Sequence, residues 1–567
     1  MSTSAPTLGP ADRDEALRRL AAEELDVLII GGGVVGAGAA LDAVTRGLTV
    51  GLIEARDYAS GTSSRSTKLF HGGLRYLEQF DFHLVFEALK ERGLVLNKLC
   101  PHLAKPVPLI YPLEKWLDRP YVGMGIGVYD VMGGGRGVPH HLKHMGKRKT
   151  MQSFPSGKGT AIRGAIRFYE GQVDDARHTM MLARTAAQFG ALCANSTRAT
   201  GFLREGDHVV GVRAKDLEGG SEFDIRATHV INAAGVWTDE IQQMVGGRGE
   251  FRVRASKGVH VVVDRNRINS ATGIIARTAK SVLFIVPWGS HWIIGTTDTD
   301  WDLDLAHPAA SQADIDYLLD QANRLLADPL TRDDVVGVYA GLRPLLAGES
   351  DSTSKLSRDH AVASPVRGLT VIAGGKYTTY RVMAKDAVDF AVHDMERKIP
   401  DCITEDVPLA GADGYHALWN SRRVIATRTG LRLSVVEHLL GRYGSLINEL
   451  LALVDERPEL GEPLAGAPEY LRVEAVYAAT HEGARHLEDV LTRRTRISIE
   501  VPDRGVAAAR EIATLVAPVL GWDDDTVARE LEHYEQRVAA ELESQHQGDD
   551  LTADAARLGA PDVRLGV

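Results

Sequence analysis

Cysteine is nearly absent from this sequence: three in 567 residues, Cys100, Cys193 and Cys402, far apart and with no C-x-x-C pair. That spacing excludes a disulfide framework and a zinc knuckle, so no metal site is expected, and a reducing cytoplasmic setting is the natural one. Long apolar runs are missing too. The longest, Val27 to Leu41, is rich in glycine, is bracketed by Asp26 and Asp42, and is too short to span a bilayer. Residues 1–24 carry Asp12, Asp14, Glu15, Arg18 and Arg19 but no apolar core segment, which reads as a frayed tail leading into a short helix, not as a secretory signal. Basic charge is in deficit as well. With 65 Lys+Arg against 76 Asp+Glu the formal net charge is -11, which argues against nucleic acid as a partner.

Glycine is plentiful, at 57 residues, and the chain is long enough to enclose a large cofactor. Asp26-Val-Leu-Ile-Ile30 is a branched apolar strand that ends at Gly31-Gly-Gly33 and runs into small residues at helical spacing up to Gly47. Leu48 to Glu54 reads as the next buried strand, giving a βαβ unit. Between about Val107 and Arg163 the sequence turns Pro-, Gly- and Lys-rich, and is expected to be an insertion over the main body. Strands read from Gly258 to Thr297 are closely spaced, which predicts an antiparallel sheet distinct from the opening parallel unit. Leu369 to Gly375 returns to the strand-then-glycine pattern of the start. Beyond about Pro400 the pattern becomes helical, with Ser434 and Glu437 spaced as a capping box and a helix over 523–542. The polar, alanine-rich stretch from Ser544 is expected to be disordered.

Gly31, Gly33 and Gly36 form a G-x-G-x-x-G loop between strand and helix, and Glu54 closes the following strand. In that context Gly31 permits the tight turn, Gly33 the approach of a pyrophosphate and Gly36 close helix packing, while the carboxylate accepts hydrogen bonds from a ribose. Both FAD and NAD satisfy this pattern. Two more strand-glycine elements, Asn232 to Gly235 and Gly374 to Lys376, favour an extended ligand touched at several loops, as FAD is.

Several blocks then resemble the FAD-dependent, respiratory glycerol-3-phosphate dehydrogenases of the D-amino-acid-oxidase-like class. Ile30 to Gly38, with Ala40, Asp42, Arg46 and Gly47, is similar to the family's first signature, and Gly374-Gly-Lys-Tyr-Thr-Thr-Tyr-Arg381 with Ala384 to its second. Ser66 to Leu77, Lys257-Gly-Val-His260, Ile294 to Asp298 and Gly341 to Leu345 follow in the family's order, and His486 to Thr495 resembles its C-terminal cap. The resemblance implies α/β plus α architecture: an FAD-binding Rossmann-like fold with an antiparallel-sheet substrate domain and a helical C-terminal domain. Read onto the chain, a tail covers 1–24, and a discontinuous FAD domain (about 25–100, 164–250 and 340–400) carries an inserted substrate domain (about 101–163 and 251–339). A helical cap covers 401–543 and a disordered tail 544–567.

The implied reaction is oxidation of sn-glycerol 3-phosphate to dihydroxyacetone phosphate, with hydride passing from C2 to non-covalently bound FAD and electrons onward to a membrane quinone. Cofactor contacts are expected from Gly31, Gly33, Gly36, Glu54, Ala55, Thr62, Ser63, Ser64, Ser66, Lys68, His71, Gly72, Gly73, Ala234, Gly235, Gly341, Gly375, Lys376, Thr378 and Thr379. Arginine forks and lysine point charges suit the substrate phosphate, so Arg75, Lys257 and Lys376 are expected to bind substrate, with Tyr76 bounding the pocket. His260 is the expected base and Arg343 its partner at the alcohol oxygen, because imidazole titrates near neutrality and arginine keeps its charge, with Arg343 or Lys376 left open as alternatives for the base. Peripheral contact with the cytoplasmic face of a membrane is expected through the insertion near Trp116, Tyr121 and Lys143 to Lys149. A homodimer through the helical half stays open, as do an amine oxidase, a peroxide-forming oxidase and a non-catalytic flavin scaffold.

Overall fold

The structure, a computed structural model, describes residues 6–73, 81–115, 118–133, 138, 143–246, 251–278, 282–347 and 359–564. Two sheets meet at one cavity. In the first, five parallel strands lie in the order Leu369–Gly374, Glu222–Asn232, Glu24–Ile30, Val50–Ile53 and Leu192–Ala194. An antiparallel edge strand, His360–Val366, and a meander, Thr197–Glu205 with His208–Asp216, complete it. The alternation of the opening strand sorts its side chains to two cores. Val27 and Ile29 face the helices Val34–Thr45, Asp175–Gln188 and Tyr380–Val392, while Leu28 and Ile30 face Leu20, Val209 and Val212 on the other side.

The second sheet is mainly antiparallel, in the order Thr299–Trp301, Val253–Asp264, His291–Gly295, Val282–Trp288, Gly273–Arg277, Ala104–Leu113, Gly164–Val173 and Leu69–Phe70. Val335–Leu346 pairs along the full length of Val253–Asp264. One contact breaks the pattern: Gly273–Arg277 runs parallel to Ala104–Leu113. The expected domain limits shift accordingly. Gly164–Val173 and Val335–Leu346 belong to this sheet and not to the parallel one. The stretch from Val107, expected to be an insertion over the main body, opens inside a ten-residue strand in register with Gly164–Val173. Its prolines, Pro106, Pro108 and Pro112, hid the strand. They share one parity, so their missing donors fall on one side of the strand and leave the ladder on the other side intact.

Both chain ends also differ from expectation. The short helix expected near the N-terminus is Pro10–Ala22, but it is seated on the body and does not belong to a frayed tail: Leu20 is fully buried, and a Cβ on Gly51 would stand 2.7 Å from Leu20 Cδ2. The described residues beyond Ser544, 545–564, are ordered. Asp550–Arg557 is a helix with Ala553 buried, and Arg564 lies buried with Nη2 donating to both oxygens of Asp489, at 2.9 and 3.0 Å. The polar composition that reads as disorder is satisfied by buried ion pairs instead. In the helical domain Glu437 forms no capping box; the helix starts at Leu433, and Glu437 accepts from Arg422 at 2.8 Å. The long helix Asp524–Ser544 is capped by Asp523, whose side chain accepts from the Thr526 N–H at 2.8 Å.

Candidate active site

Because the strands Glu24–Ile30, Val50–Ile53, Glu222–Asn232 and Leu369–Gly374 are parallel, the loops after them open at one sheet edge. Gly31 is the sharpest point. Its φ is +111°, and a Cβ there would sit 2.7 Å from Ala233 O, so only glycine fits. Gly36 makes the helix approach possible: a Cβ on it would stand 1.9 Å from Gly31 O. At the helix start the Val34 N–H donates to Ser63 Oγ at 2.9 Å, and the loop around Thr62 is held on the second sheet by Thr62 Oγ1 donating to Leu342 O at 2.5 Å. Glu54 accepts from the backbone N–H of Gly32 (2.6 Å) and of Arg56 (2.9 Å). Burial pushes its carboxyl up, against those two hydrogen bonds.

These loops wall a cavity of about 1050 Å³ whose opposite side is the second sheet. In the strand Val253–Asp264 alternate residues Gly258 and His260 face the cavity, and Gly341 and Arg343 come from the adjacent strand, with Gly258 opposite Gly341 and Ser256 opposite Arg343. Arg343 is fixed before any ligand arrives: Nη2 donates to Thr296 Oγ1 (3.0 Å) and Thr297 O (3.2 Å), and Nη1 lies 3.4 Å from Asp298 Oδ1. His260 is buried and stacked on Tyr339, ring centroids 4.7 Å apart, and its Nε2 lies 2.9 Å from Thr67 Oγ1. Burial, reinforced by Arg343 and Lys68, holds the imidazole well below its usual range, so it is neutral at pH 7.

Of the expected cofactor contacts, Gly31, Gly33, Glu54, Ala55, Thr62, Ser63, Ser66, His71, Ala234, Gly235, Gly341, Gly375, Lys376 and Thr378 line the cavity, as do His260 and Arg343. Gly36, Ser64, Lys68, Gly72, Gly73 and Thr379 do not, and act behind the wall. Lys68 is fully buried on Asp175 at 2.8 Å and donates to Ser64 O at 3.1 Å, while the same Asp175 accepts from Ser66 Oγ at 2.7 Å, so the pair stiffens the hydroxyl-rich loop. Gly72 N–H donates to Tyr129 OH at 2.8 Å. Lys257 is a correction. It points to the opposite face of its strand, fully buried between Asp314 (2.7 Å) and Asp550 (2.5 Å), and takes no part in the cavity. Arg75 and Tyr76 lie outside the described residues.

The sequence reading missed Arg65, Thr67, Trp237, Phe284, Thr296 and Leu558, all of which line the cavity. Thr67 and Thr296 stand inside motif blocks, and Trp237 directly follows the Gly235 turn, so position alone flagged them. Leu558 carries no such signal.

The donor set fits a dinucleotide: a glycine turn at a helix start, a carboxylate at the next strand end, and two further glycine loops on one long cavity. The family model for FAD dependent oxidoreductases matches residues 26–381, and that for the C-terminal domain of alpha-glycerophosphate oxidase matches 402–527. A glycerol-3-phosphate dehydrogenase of Mycobacterium leprae is 58% identical over 564 residues, covering 99% of this chain and 96% of that protein. The human mitochondrial glycerol-3-phosphate dehydrogenase is 35% identical over 566 residues, covering 96% and 77%. The crystal structure of the Bacillus halodurans glycerol-3-phosphate dehydrogenase complexed with FAD superimposes with a TM-score of 0.78 at 28% identity, covering 94% of this chain and 98% of that one. Loops, cavity and relatives agree on the cofactor, FAD, and the chain belongs to the FAD-dependent glycerol-3-phosphate dehydrogenase family.

Proposed function

We propose that the chain oxidises sn-glycerol 3-phosphate to dihydroxyacetone phosphate, with the C2 hydride leaving to the flavin and the electrons passing to a membrane quinone. FAD, when bound, supplies the two-electron acceptor. The observation that carries the reading is the pairing of a fixed guanidinium, Arg343, with a neutral imidazole, His260, on the one wall that faces the nucleotide loops. Arg343 and Lys376 offer positive charge to the anionic substrate. The C2 hydroxyl proton passes to His260 Nε2 through Thr67 Oγ1, 2.9 Å away, with the ring proton on Nδ1. An imidazole held neutral by burial is a weak base, so the charge of Arg343 beside the oxygen compensates by stabilising the developing alkoxide.

Membrane contact is supported by one surface. No described helix is long and apolar enough to cross a membrane. The helix Asp118–Gly133 exposes Met124, Val128 and Val131 at helical spacing, and Lys143, Lys147, Arg148 and Lys149 beside it are exposed. The two are adjacent, since a Cβ on Gly123 would stand 2.5 Å from His144 Cε1. An apolar stripe next to a basic strip suits an anionic lipid surface on the cytoplasmic side. Trp116 and the side chain of Tyr121, also expected there, lie outside the described residues.

Anaerobic addition of glycerol 3-phosphate to the purified holoenzyme should bleach the flavin absorption, and sarcosine or D-alanine should not. Quinone-analogue reduction should exceed peroxide formation. Arg343→Ala should keep the flavin spectrum and lose about 10²–10³-fold in kcat/KM, the scale for removing one positioned donor at a developing oxyanion. Bleaching by the amines, or full turnover of the variant, would overturn the assignment.

A further inference from the structure

A second cavity, about 100 Å³, lies where the second sheet meets the last helices of the chain. Its wall is unevenly charged. Five arginines, Arg65, Arg496, Arg504, Arg537 and Arg557, line it against two carboxylates, Glu488 and Glu541. Three of the five have a carboxylate within ion-pair distance: Arg496 pairs with Asp174 at 2.6 Å, Arg504 stands 3.3 Å from Glu541, and Arg537 stands 3.7 Å from Glu488. Arg65 and Arg557 form no ion pair among the described residues. Each donates only to a backbone carbonyl, Arg65 Nη1 to Ala306 O at 3.1 Å and Arg557 Nη1 to Arg537 O at 3.2 Å. His307 adds no charge, because Arg537 donates to its Nδ1 and burial beside the arginines holds the imidazole well below its usual range.

Donors are left over as well. Arg537 Nε, Gln545 Nε2 and Ser498 Oγ are buried without a hydrogen-bond partner, and Arg537 and Gln545 are 4% and 9% exposed. Burying donors unpaired is costly. A guanidinium cannot discard its proton to relieve the charge. Burial drives Arg65 down to about 9 and Arg557 to about 10, and the more distant carboxylates, Glu488 for both and Glu541 and Asp304 for Arg557, offset it only in part.

We propose that this cavity is a binding site for a small dianionic oxyanion, of the size and charge of inorganic phosphate, held between Arg65 and Arg557. Two guanidinium groups without an ion pair suit two negative charges, and Arg537 Nε, Gln545 Nε2 and Ser498 Oγ complete the donor set. Water would fill the volume but give neither guanidinium a directly paired anion. FAD does not serve in its place: Arg65 also lines the flavin cavity, but Arg557 lines only this one. The next residue, Leu558, is part of the flavin wall, so the anion fastens the final helix against the cofactor site.

The test uses holoenzyme prepared in chloride buffer, with inorganic phosphate as the probe and potassium chloride at matched ionic strength as the control. The unfolding temperature should rise saturably with phosphate, by about 2 °C at a hundredfold excess over Kd for a chain of this size. Arg557→Gln should abolish the rise while leaving the flavin spectrum and the unfolding temperature in chloride unchanged. Ser498→Ala, which removes a single donor, should weaken the apparent phosphate affinity about tenfold. The proposal fails if phosphate does no more than chloride. It also fails if Arg557→Gln responds like the parent, which would place the phosphate in the flavin cavity, or if Ser498→Ala leaves the affinity unchanged.

Discussion

Asp57 is where the helical domain is fastened to the nucleotide domain. It is fully buried, three residues after Glu54, and receives Arg493 Nε at 2.5 Å and both terminal nitrogens of Arg494 at 2.8 and 2.6 Å. Arg493 has a second carboxylate in Asp489, but Arg494 has no other acidic hydrogen-bond partner among the described residues and otherwise donates only to Glu482 O at 2.8 Å. Asp57→Asn keeps the volume and removes the charge. Stripping one partner from a buried ion pair costs about 3–5 kcal/mol, because the remaining charge is stranded. The unfolding entropy of a chain this long is roughly 1.2 kcal/mol/K, so the unfolding temperature should fall by about 2.5–4 °C. Scanning calorimetry of holoenzyme, with flavin fluorescence recorded in parallel, reads both the shift and cofactor release. A double variant with Arg494→Met removes the stranded cation and should recover at least about 1.5 kcal/mol in a mutant cycle. A shift below about 1 °C, or a double variant no better than the single, would refute the reasoning.

Acid should destabilise the fold before it inactivates any catalytic group. Burial lowers His102 and His178 to about 3 and His229 to about 4; each therefore contributes stability that is complete above about pH 6.5 and is lost as pH falls toward its folded value. Three such groups give a slope of about 4 kcal/mol per pH unit between about pH 6 and 4, to be read as urea midpoints across that range; a flat profile would count against neutral burial. Gly36→Ala places a methyl 1.9 Å from Gly31 O, so the variant should purify with less than about a tenth of its flavin while far-UV circular dichroism stays near native; full flavin content would show that the helix can retreat.

Legibility followed locality. Gly31, Gly33 and Glu54 act within one βαβ unit, where chain order and spatial order coincide, so spacing alone located the cofactor loops. The faces of longer strands were less accessible, although one signal went unused: Lys257 and His260 are three apart in a strand, an odd separation that places them on opposite faces, and they cannot both meet the substrate. The strand Ala104–Leu113 was hidden by prolines whose common parity is harmless only in a known ladder. The ordered tail was hidden by composition, since its charges find partners 75 to 368 residues away. Arg564 reaches Asp489 and Ser196, and Asp550 reaches Lys257. Periodicity contains none of those pairings.

Leu558 and Gly31 are walls of the same chamber, and this sets an order of manufacture. A ribosome releases the glycine turn early, and the loops and the sheet that face each other across the chamber are all delivered by Met383, well before the helical domain is complete. Among the described residues, Leu558 is the one lining residue that comes after them. A ribosome stalled late in the message would therefore hold a largely folded receptacle lacking a single apolar side chain of its wall.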